Sequence, residues 1–301
     1  MAFKKTTTTA FQMNHPDNMV RILVDCKSVL YVALLSSLRD YEVESDIKNS
    51  TYFRFWNKLQ IAARTFKTNR LIFCWDSDTS IRKTIFPAYK KGRDKPNDPT
   101  TIYRPFFKEI ETEILPKLGF ANSFNVEGLE GDDIMAIICK QEKKMPLAIF
   151  SDDGDMYQLI SNRVYHMSVK GAVEGKKPKV FTVARFVEMF GIDPSRWAEV
   201  LSLSGCTIDC VPGVESVGKI GAVDFLNGTL KKCLKRSKIE QSKDVIDFTR
   251  RLVQLPVEGS PESLELKVDS LSYAEFVRQA KRFNCDQLVE NGFWKSFFGE
   301  K

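Results

Sequence analysis

Three short apolar runs along the chain each end in an acid: Val-Arg-Ile-Leu-Val-Asp over 20–25, Leu-Ile-Phe-Cys-Trp-Asp over 71–76 and Leu-Ala-Ile-Phe-Ser-Asp over 147–152. Runs of this length with little alternation predict strands buried on both faces, each ending in an Asp. Between and after them, apolar residues fall at helical spacing over 27–38, 52–66 (Phe53, Trp56, Leu59 and Ala63), 102–118 and 133–144. Strands alternating with helices predict an α/β fold with a central, mainly parallel sheet and helices on both faces. Ligands of such sheets bind beyond the carboxyl ends of the strands, which is where these acids fall.

Two regions break the pattern. Residues 77–105 are polar, basic and punctuated by proline, which predicts an excursion over the active face rather than core. After about residue 184 the strand signal gives way to helices. They flank the loop from Val211 to Lys219, and the basic run from Lys231 to Lys238 follows soon after. The expected organisation is a tail over 1–18, disordered by composition, a catalytic domain over 19–200 carrying the 77–105 excursion, and a helical region over 201–301.

Composition narrows the chemistry. The 301 residues are 43% hydrophobic, enough for one large α/β domain with a small helical one. Lys plus Arg number 45 against 39 Asp plus Glu, a net charge of +6 that suits a polyanionic partner. The seven cysteines are scattered without a CxxC pair and read as reduced thiols; with only two histidines, a zinc site is not expected. No apolar leader core and no run of about 18 apolar residues is present, so an intracellular, non-membrane protein is expected.

Eight acids are the candidate metal ligands: Asp25, Asp76, Glu130, Asp132, Asp133, Asp153, Asp155 and Asp209. Carboxylates gathered at one place disfavour one another's ionisation unless hard divalent cations sit among them. Glu130-Gly-Asp-Asp133 opens a helical pattern; a helix cap explains one acid there, not three. In Ser151-Asp-Asp-Gly-Asp155 the glycine permits a tight bend between Asp153 and Asp155. A calcium loop is excluded, because the twelfth position is Arg163 or Val164 rather than Glu. Gly213 to Lys219 has P-loop spacing, but Ile220 stands where Ser or Thr is required and no strand precedes it. The reading that remains is a backbone clamp for DNA using Gly213, Gly218 and Lys219. Tyr89-Lys-Lys-Gly-Arg93 combines an aromatic ring with Lys90, Lys91 and Arg93, a set suited to single strands, although taken alone the segment reads first as a solvated loop.

Taken in order, these segments resemble the 5′-nuclease, or flap endonuclease, family, most of all the bacteriophage 5′ to 3′ exonucleases and T-even phage ribonuclease H. The resemblance runs from about residue 20 to about 290. It rests on Leu-Val-Asp25, Cys-Trp-Asp76 with Arg82 and Pro87-Ala-Tyr-Lys-Lys-Gly-Arg93, Leu-Glu130-Gly-Asp-Asp-Ile, Ser-Asp-Asp153-Gly-Asp155, and Asp209-Cys-Val-Pro-Gly-Val-Glu-Ser-Val-Gly-Lys219. It implies two Mg²⁺ ions, replaceable by Mn²⁺, on Asp25, Asp76, Glu130, Asp132, Asp153, Asp155 and Asp209, with Asp133 a ligand or a supporting acid. It implies a helical arch over 77–105, in which Lys90 and Arg82 face the scissile phosphate and Tyr89 stacks on a terminal base. It also implies a helix-three-turn-helix at 211–219 that grips duplex DNA and holds K⁺. The implied substrates are DNA with 5′ flaps or ends and RNA-DNA primer hybrids. A monomer is expected, working in phage replication in the host cytoplasm beside a polymerase or single-strand-binding protein.

The chain departs from the family at Gly205-Cys-Thr-Ile-Asp209-Cys210, where Cys206 occupies the place of an expected second-metal Asp. A thiol is a poor ligand for magnesium, so a weakened second site is expected. Two rival readings are a ribonuclease of the related PIN-like class and a non-catalytic protein that binds DNA structures.

Overall fold

Six strands form one sheet in the order β3-β2-β1-β4-β5-β6: β1 Arg21–Asp25, β2 Leu71–Trp75, β3 Ser123–Asn125, β4 Leu147–Phe150, β5 Val164–Met167 and β6 Val180–Phe181. All neighbours are parallel except β5 and β6. The computed structural model describes residues 19–91, 98–231 and 233–300. The expected disordered tail, and Arg93 within the expected arch, lie outside the described residues.

The central strands are apolar on both faces, and each face has its own helices. Ile22, Val24, Phe73, Ala148 and Phe150 point to a core shared with α1 (Cys26–Asp40) and α2 (Glu44–Phe66). Leu23, Ile72, Leu147 and Ile149 point the other way. There, after α3 (Ile81–Ile85), α4 (Gly131–Gln141) lays Ile134, Ile137 and Ile138 on the sheet. A fully buried strand surface is what a parallel sheet needs when crossover helices cover both sides.

The helical run expected over 102–118 is interrupted. It contains helices at Pro99–Ile102, Arg104–Glu109 and Leu115–Lys117, with a wider π-turn at Ile110–Ile114. Pro116 has no N–H for the Thr112 carbonyl, and a widened turn accommodates that missing bond.

After β6, helices α5 (Trp197–Ser204), α6 (Lys219–Leu226) and α7 (Lys243–Val253) form a second core around Trp197, Val214, Val217 and Leu252. The next helix, α8 (Tyr273–Arg282), and the segment Phe293–Phe297 turn back to the first core. There Trp294 meets Trp56 of α2 edge to face at 5.1 Å. The segment from Tyr273 to Phe298, grouped by sequence with the 201–301 region, therefore shares the core of α1 and α2. The basic excursion is also partly core: Arg82 is 2% exposed and Tyr89 5% exposed.

Candidate metal centre and nucleic-acid face

Register brings the acids together. Asp25 lies level with Cys74, two residues before Asp76, and Val24 lies level with Phe150, so Ser151 ends up beside Asp25. The Ser151 hydroxyl donates to Asp25 Oδ2 at 2.6 Å, and the Ser28 N–H donates to Oδ1 at 2.9 Å. Asp25 is thus both the last residue of β1 and the cap of α1, a position that fixes its carboxylate. Asp76 accepts the Gly131 N–H on Oδ1 at 2.9 Å and the Lys27 ammonium on Oδ2 at 2.8 Å.

The turn after β4 is held from several sides. Asp153 Oδ1 accepts the Asp155 N–H at 2.8 Å, the Ser151 hydroxyl accepts the Asp153 N–H at 2.9 Å, and Trp197 Nε1 donates to the Gly154 carbonyl at 2.8 Å. Asp152 turns away, accepting the Ser168 hydroxyl at 2.6 Å and the Lys170 N–H at 2.9 Å.

Electrostatics shows which acids feel each other. Burial pushes the Asp25 carboxyl up to about 7; Ser151 and Ser28 oppose the rise, while Asp76 and Asp153 add to it. Burial, then Asp153 and Asp25, push Asp132 well above the usual carboxylate range. Asp155 is raised to about 7 by burial and Asp153, with Asp209 adding and Lys219 and Lys90 opposing. Asp76 is different: burial works against its ionisation, yet Lys27 and Lys90 hold it down at about 2.

Asp76, Asp25, Asp132, Asp153, Asp155 and Asp209 therefore form one electrostatically connected series along the carboxyl edge of the sheet, deficient in positive charge. An all-oxygen donor set of this kind fits a hard divalent ion. Among the described residues no three His, Cys, Asp or Glu side chains already stand in ion-holding geometry. Instead, lysines lie against two of the acids, Lys27 on Asp76 and Lys90 on Glu130.

Three expected roles need correction. Asp133 is fully buried with both oxygens occupied: it accepts Arg82 Nη1 at 2.6 Å and the Glu130 N–H at 3.2 Å on Oδ2, and Arg82 Nη2 and the Val257 N–H, each at 2.8 Å, on Oδ1. With both oxygens taken it fits the supporting role rather than that of a ligand, and Arg82 engages its guanidinium in this buried pair, with Nη1 also 3.5 Å from Glu130 Oε2. Arg82 also donates through Nε to the Leu252 carbonyl at 2.7 Å, tying α3 and α4 to α7. Tyr89, expected to stack on a base, is buried in the second core and donates its hydroxyl to Glu130 Oε2 at 3.0 Å.

Lys90 does face the acids. Its ammonium meets Glu130 Oε2 at 2.8 Å, and Asp76 and Asp132 add to the field that favours its charge despite burial. Its backbone N–H donates to the Asp209 carbonyl at 2.9 Å, joining the 86–91 segment to the 206–211 loop. Lys91 is exposed, with its carbonyl 3.8 Å from Cys210 Sγ. Cys206 Sγ lies 3.7 Å from Asp209 Oδ2, and burial pushes its thiol up, with Asp209 and Asp155 adding.

In the 211–219 loop the glycines differ. A Cβ on Gly213 would lie 2.5 Å from the Ser204 backbone, so this position allows two chain segments to cross. Gly218 caps α6 in open space, and Lys219 follows with its ammonium 5.6 Å from the centre of the Trp197 ring, on the Asp155 side of the site. Lys27, Ser28, Ser151 and Trp197 were not singled out from sequence; the adjacency of Ser151 to the acid turn is the one local signal that pointed to any of them.

No helix among the described residues is long and apolar enough to cross a membrane. The sequence profile of the 5′-3′ exonuclease N-terminal resolvase-like domain matches residues 20–191. A 5′-3′ exonuclease of Aquifex aeolicus is 30% identical over 205 residues, covering 64% of this chain and 67% of that protein. A thermostable DNA polymerase I of Thermus thermophilus is 30% identical over 218 residues, which are 69% of this chain and 25% of the polymerase. The structure of a bacteriophage T5 flap endonuclease in a complex with DNA and metal ions superposes with a TM-score of 0.61 at 19% identity, covering 79% of this chain and 89% of that one. With a profile match over more than half its length and acids at the strand ends, the chain belongs to the 5′-3′ exonuclease family.

Proposed function

We propose that the chain hydrolyses phosphodiesters near 5′ ends of DNA, as a structure-dependent 5′-3′ exonuclease and flap endonuclease. The observation that carries this reading is the line of Asp76, Asp25, Asp132, Asp153 and Asp155 at the carboxyl edge of the sheet beside Lys90, in which burial and neighbouring acids raise the carboxyls of Asp25, Asp132 and Asp155. Asp25, Asp76, Glu130, Asp132, Asp153, Asp155 and Asp209 are the residues we assign to two divalent ions, magnesium or in its place manganese. Bound there, such ions supply a water of lowered pKa and stabilise charge on the leaving oxygen.

The protein's own groups do the rest. Ser151 and Ser28 orient Asp25, the Asp153 turn presents Asp155, and Lys90 offsets charge that develops on the phosphate. Lys219 and the N-terminus of α6 suit a duplex backbone read without regard to base sequence. Arg93 and Lys91 remain our candidate contacts to the single strand. A potassium ion at the 211–219 loop is carried over from the family resemblance.

DNA is the substrate we assign because the T5 flap endonuclease and the Rad2 catalytic core, which this fold matches, are both described in complexes with DNA. Removal of flaps and RNA primers in phage replication, beside a polymerase, is the role we infer. Cleavage of a 5′-labelled flap, its duplex and its single strand, in magnesium, manganese and EDTA, tests the reading. Cuts near the flap junction that disappear in EDTA are expected. Asp153→Asn is expected to abolish them while flap binding persists, and turnover by the pure, folded variant would overturn the assignment.

A further inference from the structure

Both oxygens of Asp76 are already engaged, and by partners of different kinds. The Gly131 N–H on Oδ1 belongs to the first residue of α4 and is fixed by the backbone. The Lys27 ammonium on Oδ2 sits at the end of a four-carbon stem, on a side chain 55% exposed. A divalent ion that takes Oδ2 of Asp76 meets the positive charge of the Lys27 ammonium there, and of the two partners only Lys27 can move away without unwinding a helix. Lys90, a second ammonium near Asp76, is held among Glu130 and the Tyr89 ring and is only 15% exposed. Lys27 lies two residues after the Asp25 cap, in the first turn of α1, so the helix itself carries this cation to the acid edge. It opens onto a cleft of about 200 Å³ also lined by Lys83, Lys90, Arg104 and Lys108, where a displaced ammonium meets water or a strand's phosphates.

We propose that Lys27 is a built-in counter-ion for Asp76 that competes with the divalent ion for this carboxylate and so sets how much metal the enzyme requires. The inference rests on the metal-dependent reading above. While the ion is absent, the ammonium relieves part of the repulsion within the acid series; when the ion arrives, the same contact has to be given up. A phosphate strand in the cleft offers the ammonium a second partner, so substrate and metal favour each other's binding, a coupling that is reciprocal.

The test is calorimetric titration of Mn²⁺ into the full chain without nucleic acid, for the wild type, Lys27→Met and Lys27→Arg. Losing one partly exposed charge next to the carboxylate is expected to tighten Mn²⁺ binding roughly three- to tenfold in Lys27→Met. Lys27→Arg, which keeps the charge, is expected to stay near the wild type. The metal concentration for half-maximal flap cleavage should fall in parallel. If Lys27 were merely structural, its loss would loosen the site and weaken Mn²⁺ binding, so unchanged or weaker binding by Lys27→Met overturns the proposal alone. Absence of Mn²⁺ binding by all three proteins overturns the metal reading and this inference together.

Discussion

Arg82 grips Asp133 with both ends of its guanidinium, Nη1 2.6 Å from Oδ2 and Nη2 2.8 Å from Oδ1, in a site that neither residue shares with solvent. A bidentate pair this deeply buried is a structural clamp, and its loss leaves an uncompensated carboxylate under α7. Arg82→Ala is expected to destabilise the protein by about 3–5 kcal/mol in urea unfolding. Arg82→Lys should recover only part of this, since an ammonium cannot serve both oxygens and the Leu252 carbonyl at once. If Arg82 instead acted on the phosphate, Arg82→Ala would unfold like the wild type and lose turnover only.

Lys90 makes the opposite prediction. Its ammonium faces the acid edge, and its backbone, in the left-handed region at φ 53°, is held by the Asp209 carbonyl whatever the side chain. Lys90→Met is expected to keep the fold and to lower single-turnover cleavage by about 10²–10³-fold, the usual effect of removing one preorganised donor from developing charge. Flap affinity, measured in calcium or EDTA, should change far less than the rate.

His166 gives the fold a pH dependence. Its ring stacks edge-on with Tyr157 at 4.9 Å, and burial pushes its imidazole from 6.5 down to about 3. The Asp153 backbone is near enough to favour the cation slightly, yet neither ring nitrogen completes a hydrogen bond. The unfolded chain binds a proton near 6.5 that the folded chain refuses, so this contribution is intact above that pH. It is lost as pH falls toward 3, at up to about 1.4 kcal/mol per unit. Asp25 and Asp155, with raised carboxyls, act in the other direction. The informative quantity is therefore the difference between wild type and His166→Phe in EDTA. It should shift in the variant's favour as pH drops from 6.5 to 4.5, and a constant difference would contradict the account.

What the sequence reveals of this site follows from how local each feature is. Asp25 and Asp76 end apolar runs, and Asp132, Asp153 and Asp155 flank a helix start and a glycine turn, so their place at the sheet edge is readable without a structure. The family resemblance implied that Arg82 and Tyr89 face substrate, and the basic, proline-rich stretch around them carries no local sign of burial, which depends on α7 and the 206–211 loop, far along the chain. Lys27 and Ser151 matter only through the register of β1 against β2 and β4, which no single segment encodes. Strands β3 and β6 have three and two residues, too few for periodicity to register, and β5, Val-Tyr-His-Met, lacks the continuous apolar run that marks β4 at the same length. The return of Trp294 to Trp56 joins positions more than two hundred residues apart.

Cys206 offers the sharpest chemical prediction. The thiol stands against Asp209 and in the field of Asp155, at the end of the series opposite Asp76. A neutral sulfur adds neither charge nor a hard oxygen, so an ion at this end has one anionic ligand fewer than an aspartate would provide. Cys206→Asp is expected to lower the magnesium concentration for half-maximal flap cleavage by about tenfold, in line with one more carboxylate close to the ion. Cys206→Ser, which adds an oxygen without charge, should shift it much less. Both variants should unfold within about 1 kcal/mol of the wild type, since the residue is only half-buried. A magnesium dependence unchanged by Cys206→Asp would mean that this end of the acid edge does not hold an ion that limits turnover.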